Sequence, residues 1–307
     1  MRIFLTGVSG YLGTVLAEHL APLPEVDTIT GIDIALPPTP LPATVRFIPM
    51  DMRSPELPML MAGHDVVIHT AFVVLWPARM PVTLRDDINL NGVRNVAQAT
   101  IAANVRRFIQ ASSIAAYDPE QAPGRDALTE AFPLSRGDSP FYYANGKALA
   151  ERTLQEVLAP AGIGLTIFRP CYIVGPRNRA TVKSFRNNPI KIRGRNPRLQ
   201  FIHEADVAAA FIQALRTEMP GIYNLVPDDY LHWDEVLHIV GVRTALTVPL
   251  GVARLFMTVA WRYFGSPTHP TWLLNDLLDD FTVSNARLRA TGWMPRYRSE
   301  AALRAAL

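Results

Sequence analysis

Short, mainly apolar runs alternate along this chain with longer stretches in which apolar residues recur every three or four positions. Short apolar runs bounded by turn formers read as buried parallel strands, and the longer spacing reads as helices packed on them. The predicted strands are Arg2–Thr6, Thr28–Asp33, Val45–Pro49, 65–69, Arg107–Ala111 and 164–169. Helices are predicted over 83–104 and 140–158, the second stopped by Pro160, while the proline-rich loop 36–43 is too stiff to be helical. Beyond residue 176 the pattern loosens, and a helix at 204–216 and a strand at Gly221–Leu225 return to the main body. Strands alternating with helices imply an α/β fold with a doubly wound parallel sheet. The expected division is a main domain of 1–176 joined by 200–226, and a smaller interleaved cap of 177–199 and 227–307. The sequence contains no internal repeat and no low-complexity segment.

Directly after the first strand, Gly7, Gly10 and Gly13 stand in Gly-x-x-Gly-x-x-Gly spacing, and Tyr11-Leu12 with Val15-Leu16 begin an amphipathic helix. Glycines there let the backbone turn tightly and approach a pyrophosphate, whose charge sits on N–H groups at the helix start. About 20 residues on, Asp33 closes the second strand, where a carboxylate accepts the two ribose hydroxyls and repels a 2′-phosphate. In a doubly wound sheet, ligands lie at the carboxyl ends of the strands. Asp33, Asp51, Thr70, Ser113 and Pro170 all fall at those ends.

Tyr143 and Lys147 form a Tyr-x-x-x-Lys pair on one helix face. An ammonium beside the phenol, together with a cationic nicotinamide, is expected to lower its pKa from near 10 toward that of a working base. Ser113 then holds the substrate oxygen while Tyr143 moves the proton. The same pattern also describes a surface tyrosine beside a solvated lysine. Two things favour chemistry: Ser112-Ser113 at a strand end about thirty residues upstream, and the scarcity of lysine, found only at 147, 183 and 191.

Composition narrows the field. At 307 residues, 49% hydrophobic and 19% charged, the chain is globular, and a net charge of +3 makes no case for nucleic acid or an acidic membrane. A single cysteine, Cys171, excludes an internal disulfide and suits a reducing compartment, and the first strand begins too early for a signal peptide. A cytoplasmic enzyme is expected. His19, His64, His232, His238 and His269 lack metal-ligand spacing, so no metal is expected. Residues 245–261 are apolar apart from Arg254, but too short for a span and interrupted by Pro249 and Gly251. A buried or substrate-covering helix is expected there, with interfacial attachment left open.

The motifs together resemble the extended short-chain dehydrogenase/reductases, the family of NAD-dependent nucleotide-sugar epimerases and dehydratases. Thr6-Gly7-Val8-Ser9-Gly10-Tyr11-Leu12-Gly13 matches its Thr-Gly-x-x-Gly-x-x-Gly motif. Asp51-Met52-Arg53 is similar to the Asp-Leu-Arg whose aspartate meets the adenine. His69-Thr70-Ala71, followed by Phe72, resembles the run beside ribose and pyrophosphate, and the stretch from Asn89 to Asn95 resembles the Asn-Val-x-Gly-Thr-x-Asn helix. Ser112-Ser113-Ile114-Ala115-Ala116-Tyr117 matches Ser-Ser-x-x-x-Tyr, with Ser113 at the catalytic Ser/Thr position. Arg169-Pro170, with Cys171 next, through Gly175-Pro176-Arg177 matches the stretch that starts against the nicotinamide. The resemblance implies a Rossmann-type sheet of seven parallel strands and NAD as cofactor. It places Ser113, Tyr143 and Lys147 in catalysis, Lys147 also on the nicotinamide ribose, and pairs 83–104 with 140–158 in a homodimer.

Two departures bear on substrate. Leu199 stands where sugar-nucleotide epimerases carry a diphosphate-binding arginine, ahead of Gln200-Phe201-Ile202-His203. Arg195 or Arg198, in a segment (177–198) with eight basic residues and no acid, is the candidate substitute; a solvated basic loop is the plainer reading. The apolar cap at 246–264 also suits a greasy alcohol, with Leu255, Phe256 and Val259 as candidate pocket residues. The expected activity is therefore epimerase/dehydratase chemistry on a nucleotide-sugar through a transient ketone. The alternatives are a simple dehydrogenase or reductase of an apolar alcohol or ketone, and a non-catalytic NAD-sensing protein. His203 reads as structural, Cys171 as a packing residue rather than a nucleophile, and Asp126 and Glu130 as loop residues within reach of substrate.

Overall fold

The computed structural model describes residues 1–74, 80–118, 125–139, 141–187, 189–264, 277–278 and 280–307, with the backbone alone at 125 and 126. Its centre is a sheet of seven strands: β1 (Arg2–Thr6), β2 (Thr28–Asp33), β3 (Val45–Pro49), β4 (Val66–His69), β5 (Arg107–Ala111), β6 (Gly164–Pro170) and β7 (Gly221–Leu225). The spatial order is β7-β6-β5-β4-β1-β2-β3, every pair parallel. The order reverses between β1 and β4, and a crevice opens there at the strands' carboxyl ends.

Alternation along each strand divides the core in two. Ile3, Leu5 and Ile68 pack on one face with helices α1 (Tyr11–Leu20) and α4 (Glu204–Thr217), through Val15, Leu16, Val207 and Phe211. Phe4, Val67 and Phe108 pack on the other with α2 (Gly92–Ala102) and α3 (Tyr142–Leu158), through Val93, Val96, Ala150 and Leu154. Because both faces are covered, the central strands β1, β4 and β5 bury consecutive residues rather than alternate ones. A separate apolar cluster of Val174, Val182, Leu199, Phe201, Leu231, Trp233, Val236 and Leu303 lies outside the central sheet, and beside it the Trp233 indole donates to the Ile190 carbonyl at 2.9 Å.

Two predicted helices come out differently. The stretch 83–104 is a short helix (Val82–Asp86), a widened π turn (Asp87–Asn91) and then α2, which ends before Asn104 at φ 57°. The widened turn points the buried Asn89 amide at the loop after β4, where it accepts from Val73 N at 2.7 Å and donates to Val73 O at 3.1 Å. The stretch 245–261 is a strand (Leu246–Val248) paired with Ile190–Ile192, followed by α5 (Leu250–Tyr263). Pro249 makes this break by capping α5 from an extended conformation. Of the residues of α5 only Ala253 is buried, and Leu255 and Phe256 turn to solvent instead of lining a pocket. No helix among the described residues is long and apolar enough to cross a membrane.

Candidate active site

The phosphate loop is built by contact between backbones. Gly7 has φ +76°, and a Cβ there would lie 2.6 Å from Ala71 N and 2.8 Å from Thr70 Oγ1. A Cβ on Gly13 would lie 2.0 Å from Gly7 O, so both positions require glycine. The Thr70 hydroxyl donates to Thr6 O at 2.8 Å and locks the loop to the end of β4. Gly10 caps α1 without a side-chain hydrogen bond, and the first turn (Tyr11, Leu12, Gly13) holds no carboxylate. These features fit a pyrophosphate. At the end of β2, Asp33 accepts from Ser9 N at 3.2 Å and Ala35 N at 3.1 Å, fixing its carboxylate beside the loop where ribose hydroxyls are expected.

The remaining cofactor candidates surround that crevice, several with their side chains engaged. The Tyr11 hydroxyl donates to Glu204 at 2.6 Å and is pushed far up by burial, which ties α1 to α4 and leaves the backbone of Tyr11 to face a ligand. Asp51 is clasped by Arg53 (2.6 Å), which holds its carboxyl below the usual range. Met52 is buried under Gly92, where a Cβ would lie 2.5 Å from its Cε. A polar cleft of about 650 Å³ lined by Asp51, Arg53, Asp87, Arg94, Asn95 and neighbours opens here, away from the catalytic candidates. Asn89 also donates to the Tyr142 hydroxyl at 3.0 Å. Pro170 ends β6, and Cys171 beside it is buried with its thiol pushed well up, as a packing residue's would be.

Ser113, Tyr143 and Lys147 come together. Ser113 follows β5, accepts from Ala115 N at 3.1 Å, and hydrogen-bonds the Tyr143 hydroxyl. The Lys147 ammonium donates to Ala111 O at 3.0 Å and stands 4.1 Å from the centre of the Phe72 ring, which meets Tyr143 edge-on at 5.8 Å. Burial pushes Lys147 down to about 7, against the pull of Glu151. Burial likewise pushes Tyr143 up to about 12, with Ser113 pulling the other way. The ammonium alone does not lower the tyrosine. The ammonium lies against a carbonyl and an aromatic ring, 5.8 Å from the centre of the Tyr143 ring, and desolvation wins.

Beneath these residues lies a network that the motif reading passed over. Glu151, one turn beyond Lys147 on the same face, is fully buried and grips Arg169 at 2.6 Å. It also accepts from Ser112 Oγ at 2.5 Å, so the two adjacent serines serve opposite sides of the chain. The Arg169 guanidinium stands 4.7 Å from the Tyr117 ring centre, and the Tyr117 hydroxyl donates to Asn224 at 2.6 Å. The i+4 spacing from Lys147 and the buried run around Arg169 were the available signal. Glu130 accepts from Asn224 N at 2.8 Å and so braces β7; the Asp126 side chain and His269 lie outside the described residues. His203 caps α4 by accepting from Ala205 N at 3.1 Å, a structural role.

In the basic segment, Arg198 pairs with Asp280 at 3.1 Å, Leu199 is buried in the cap, and Arg195 is exposed on a turn. Among the described residues no three potential His, Cys, Asp or Glu ligands gather around a metal position.

Known proteins share this architecture. The Thermus thermophilus UDP-glucose 4-epimerase, solved with NAD, superposes at a TM-score of 0.75 over 100% of this chain and 97% of its own, with 21% identity, a likeness of fold. In sequence, the chain is 25% identical to a ceramide reductase of Caulobacter vibrioides across 96% of both. It is 29% identical, over 58% of its length and 51% of the relative's, to an N-acetyl-α-D-glucosaminyl-diphospho-ditrans,octacis-undecaprenol 4-epimerase of Escherichia coli O157:H7. The model of the NAD dependent epimerase/dehydratase family matches residues 3–225, from the first strand of the sheet to the last, and this chain belongs to that family, with NAD as its cofactor.

Proposed function

We propose that the chain is an NAD-dependent oxidoreductase interconverting a secondary alcohol and a ketone on a substrate with a large apolar part. The observation that carries the substrate class is the pair at 198–199. Leu199 is buried where a diphosphate-binding arginine was expected, and the neighbouring Arg198 is held by Asp280. The full-length likeness to a ceramide reductase supports the same reading.

The cofactor, when bound, supplies or accepts the hydride. The phosphate loop from Gly7 to Gly13 would hold its pyrophosphate, Asp33 its adenosine ribose, and Lys147 its other ribose. In the reducing direction the substrate oxygen sits between the Ser113 and Tyr143 hydroxyls. Ser113 donates a hydrogen bond, and Tyr143, held protonated by burial, delivers its proton to that oxygen. The reverse reaction needs the phenolate.

The arginine-rich segment and the fold shared with nucleotide-sugar enzymes support a second reading, epimerisation of a nucleotide-sugar. Two assays separate them: calorimetric titration with UDP, and NADH oxidation with long-chain ketones. The apolar reading expects no heat from UDP and turnover with the ketone; UDP binding without ketone turnover overturns it. We carry the homodimer through α2 and α3 as part of this proposal, checked by sedimentation.

A further inference from the structure

The modest net charge conceals an uneven distribution. Residues 157–203 and 236–275 contain 12 of the 30 lysines and arginines and none of the 27 acids. The structure joins the two stretches. Leu246–Val248 pairs in parallel with Ile190–Ile192, and Val248, Leu250, Ala253 and Met257 pack with Ile190 and Ile192. Around this seam Lys183, Arg193, Arg243, Arg254 and Arg262 are exposed, while the nearby acid Asp234 is taken by Lys191 at 2.6 Å.

Helix α5 has two apolar faces. Ala253 and Met257 face the protein. Val252, Leu255, Phe256 and Tyr263, spaced i, i+3, i+4 and i+11, are 52, 66, 59 and 77% exposed, and Phe264 beyond the helix end is 81% exposed. An outward apolar stripe with Arg254 and Arg262 exposed on the same helix is the pattern of a helix that lies in a membrane interface, with rings and aliphatic side chains among the acyl chains and guanidinium groups at the headgroups. We propose that α5 docks this protein on the surface of an anionic lipid bilayer. Charge decides the occupant. A second copy would bring the same basic face, Lys183, Arg193, Arg243, Arg254 and Arg262, against this one. Nucleic acid would satisfy the arginines and leave the stripe in water.

The proposal goes beyond the redox reading, and its test needs neither cofactor nor substrate. The full chain is sedimented with vesicles of phosphatidylcholine alone, or with phosphatidylglycerol added. Half-binding is expected at roughly tenfold or more lower lipid concentration on the anionic vesicles, with the preference weakened by high salt. Leu255→Glu with Phe256→Glu, and separately Arg254→Glu with Arg262→Glu, should each lose about tenfold or more, with unchanged melting temperatures because these side chains are exposed. Equal binding to both vesicle types, or wild-type binding by both variants, overturns the proposal. Sedimentation velocity without lipid is expected to be the same for wild type and the Leu255/Phe256 variant. A shift from dimer to monomer in that variant overturns it too, assigning the face to a second copy.

Discussion

Tyr143 and Lys147 share one helical face, the tyrosine half-buried and the lysine buried, and desolvation moves each toward its neutral form. Tyr143→Phe should abolish nearly all turnover while leaving NAD affinity within about twofold, since the phenol acts on substrate; turnover assays and a fluorescence titration check both. For Lys147 the folded pKa lies below the unfolded value, so the cost of burying the ammonium is fully present below about pH 7 and fades as pH rises toward about 10.5. Lys147→Met should therefore raise the stability of the cofactor-free protein most at pH 6, on the order of a few kcal/mol, and less at pH 9. A gain that grows with pH in urea titrations would contradict this. At Asp33 the adjoining residues are Ile34 and Ala35, with no arginine to meet a 2′-phosphate. NAD(H) should bind at least about tenfold more tightly than NADP(H), measured by titration of each.

At the scale of elements, the helix that carries Tyr143 and Lys147 is anchored to the sheet by the buried Glu151–Arg169 pair. Removing one partner, as in Arg169→Met, strands a buried carboxylate and should cost about 3–5 kcal/mol; Glu151→Leu combined with Arg169→Met should cost less. Denaturant midpoints of the two variants decide it. The seven strands of the central sheet were legible in the sequence to within a residue because each has a short apolar stretch followed by a turn former; the two-stranded pairings outside it, such as Leu246–Val248 with Ile190–Ile192, were not. The closeness of Tyr143 and Lys147 was legible because i and i+4 share a helix face. The break of 83–104 into helix, π turn and helix was not, because Asn89's reach to Val73 depends on a loop from another part of the chain. The tyrosine's raised pKa escaped for a similar reason: spacing places the ammonium near the phenol but says nothing of the Phe72 ring and Ala111 carbonyl that engage it.

On the scale of the whole molecule, the last hundred residues are sewn back to the sheet side by polar side chains. Gln200 accepts from Val283 N at 2.9 Å and donates to Val283 O at 3.2 Å, and Asp206 at the start of α4 accepts from both Arg296 N and Tyr297 N at 3.1 Å. The cofactor-free protein is therefore expected to unfold in one calorimetric transition, and an earlier separate melting of the cap would contradict it. The two acid-free stretches have a further effect. The two stretches hold 12 cations and no acid and the rest of the chain 18 against 27 acids, so the molecule carries an electric dipole with its positive end toward the seam of Ile190–Ile192 and Leu246–Val248. A dipole near a charged wall feels a torque before it feels a contact. Within about 10 Å at physiological salt, an anionic surface turns the protein before holding it, so each arrival is already facing the right way.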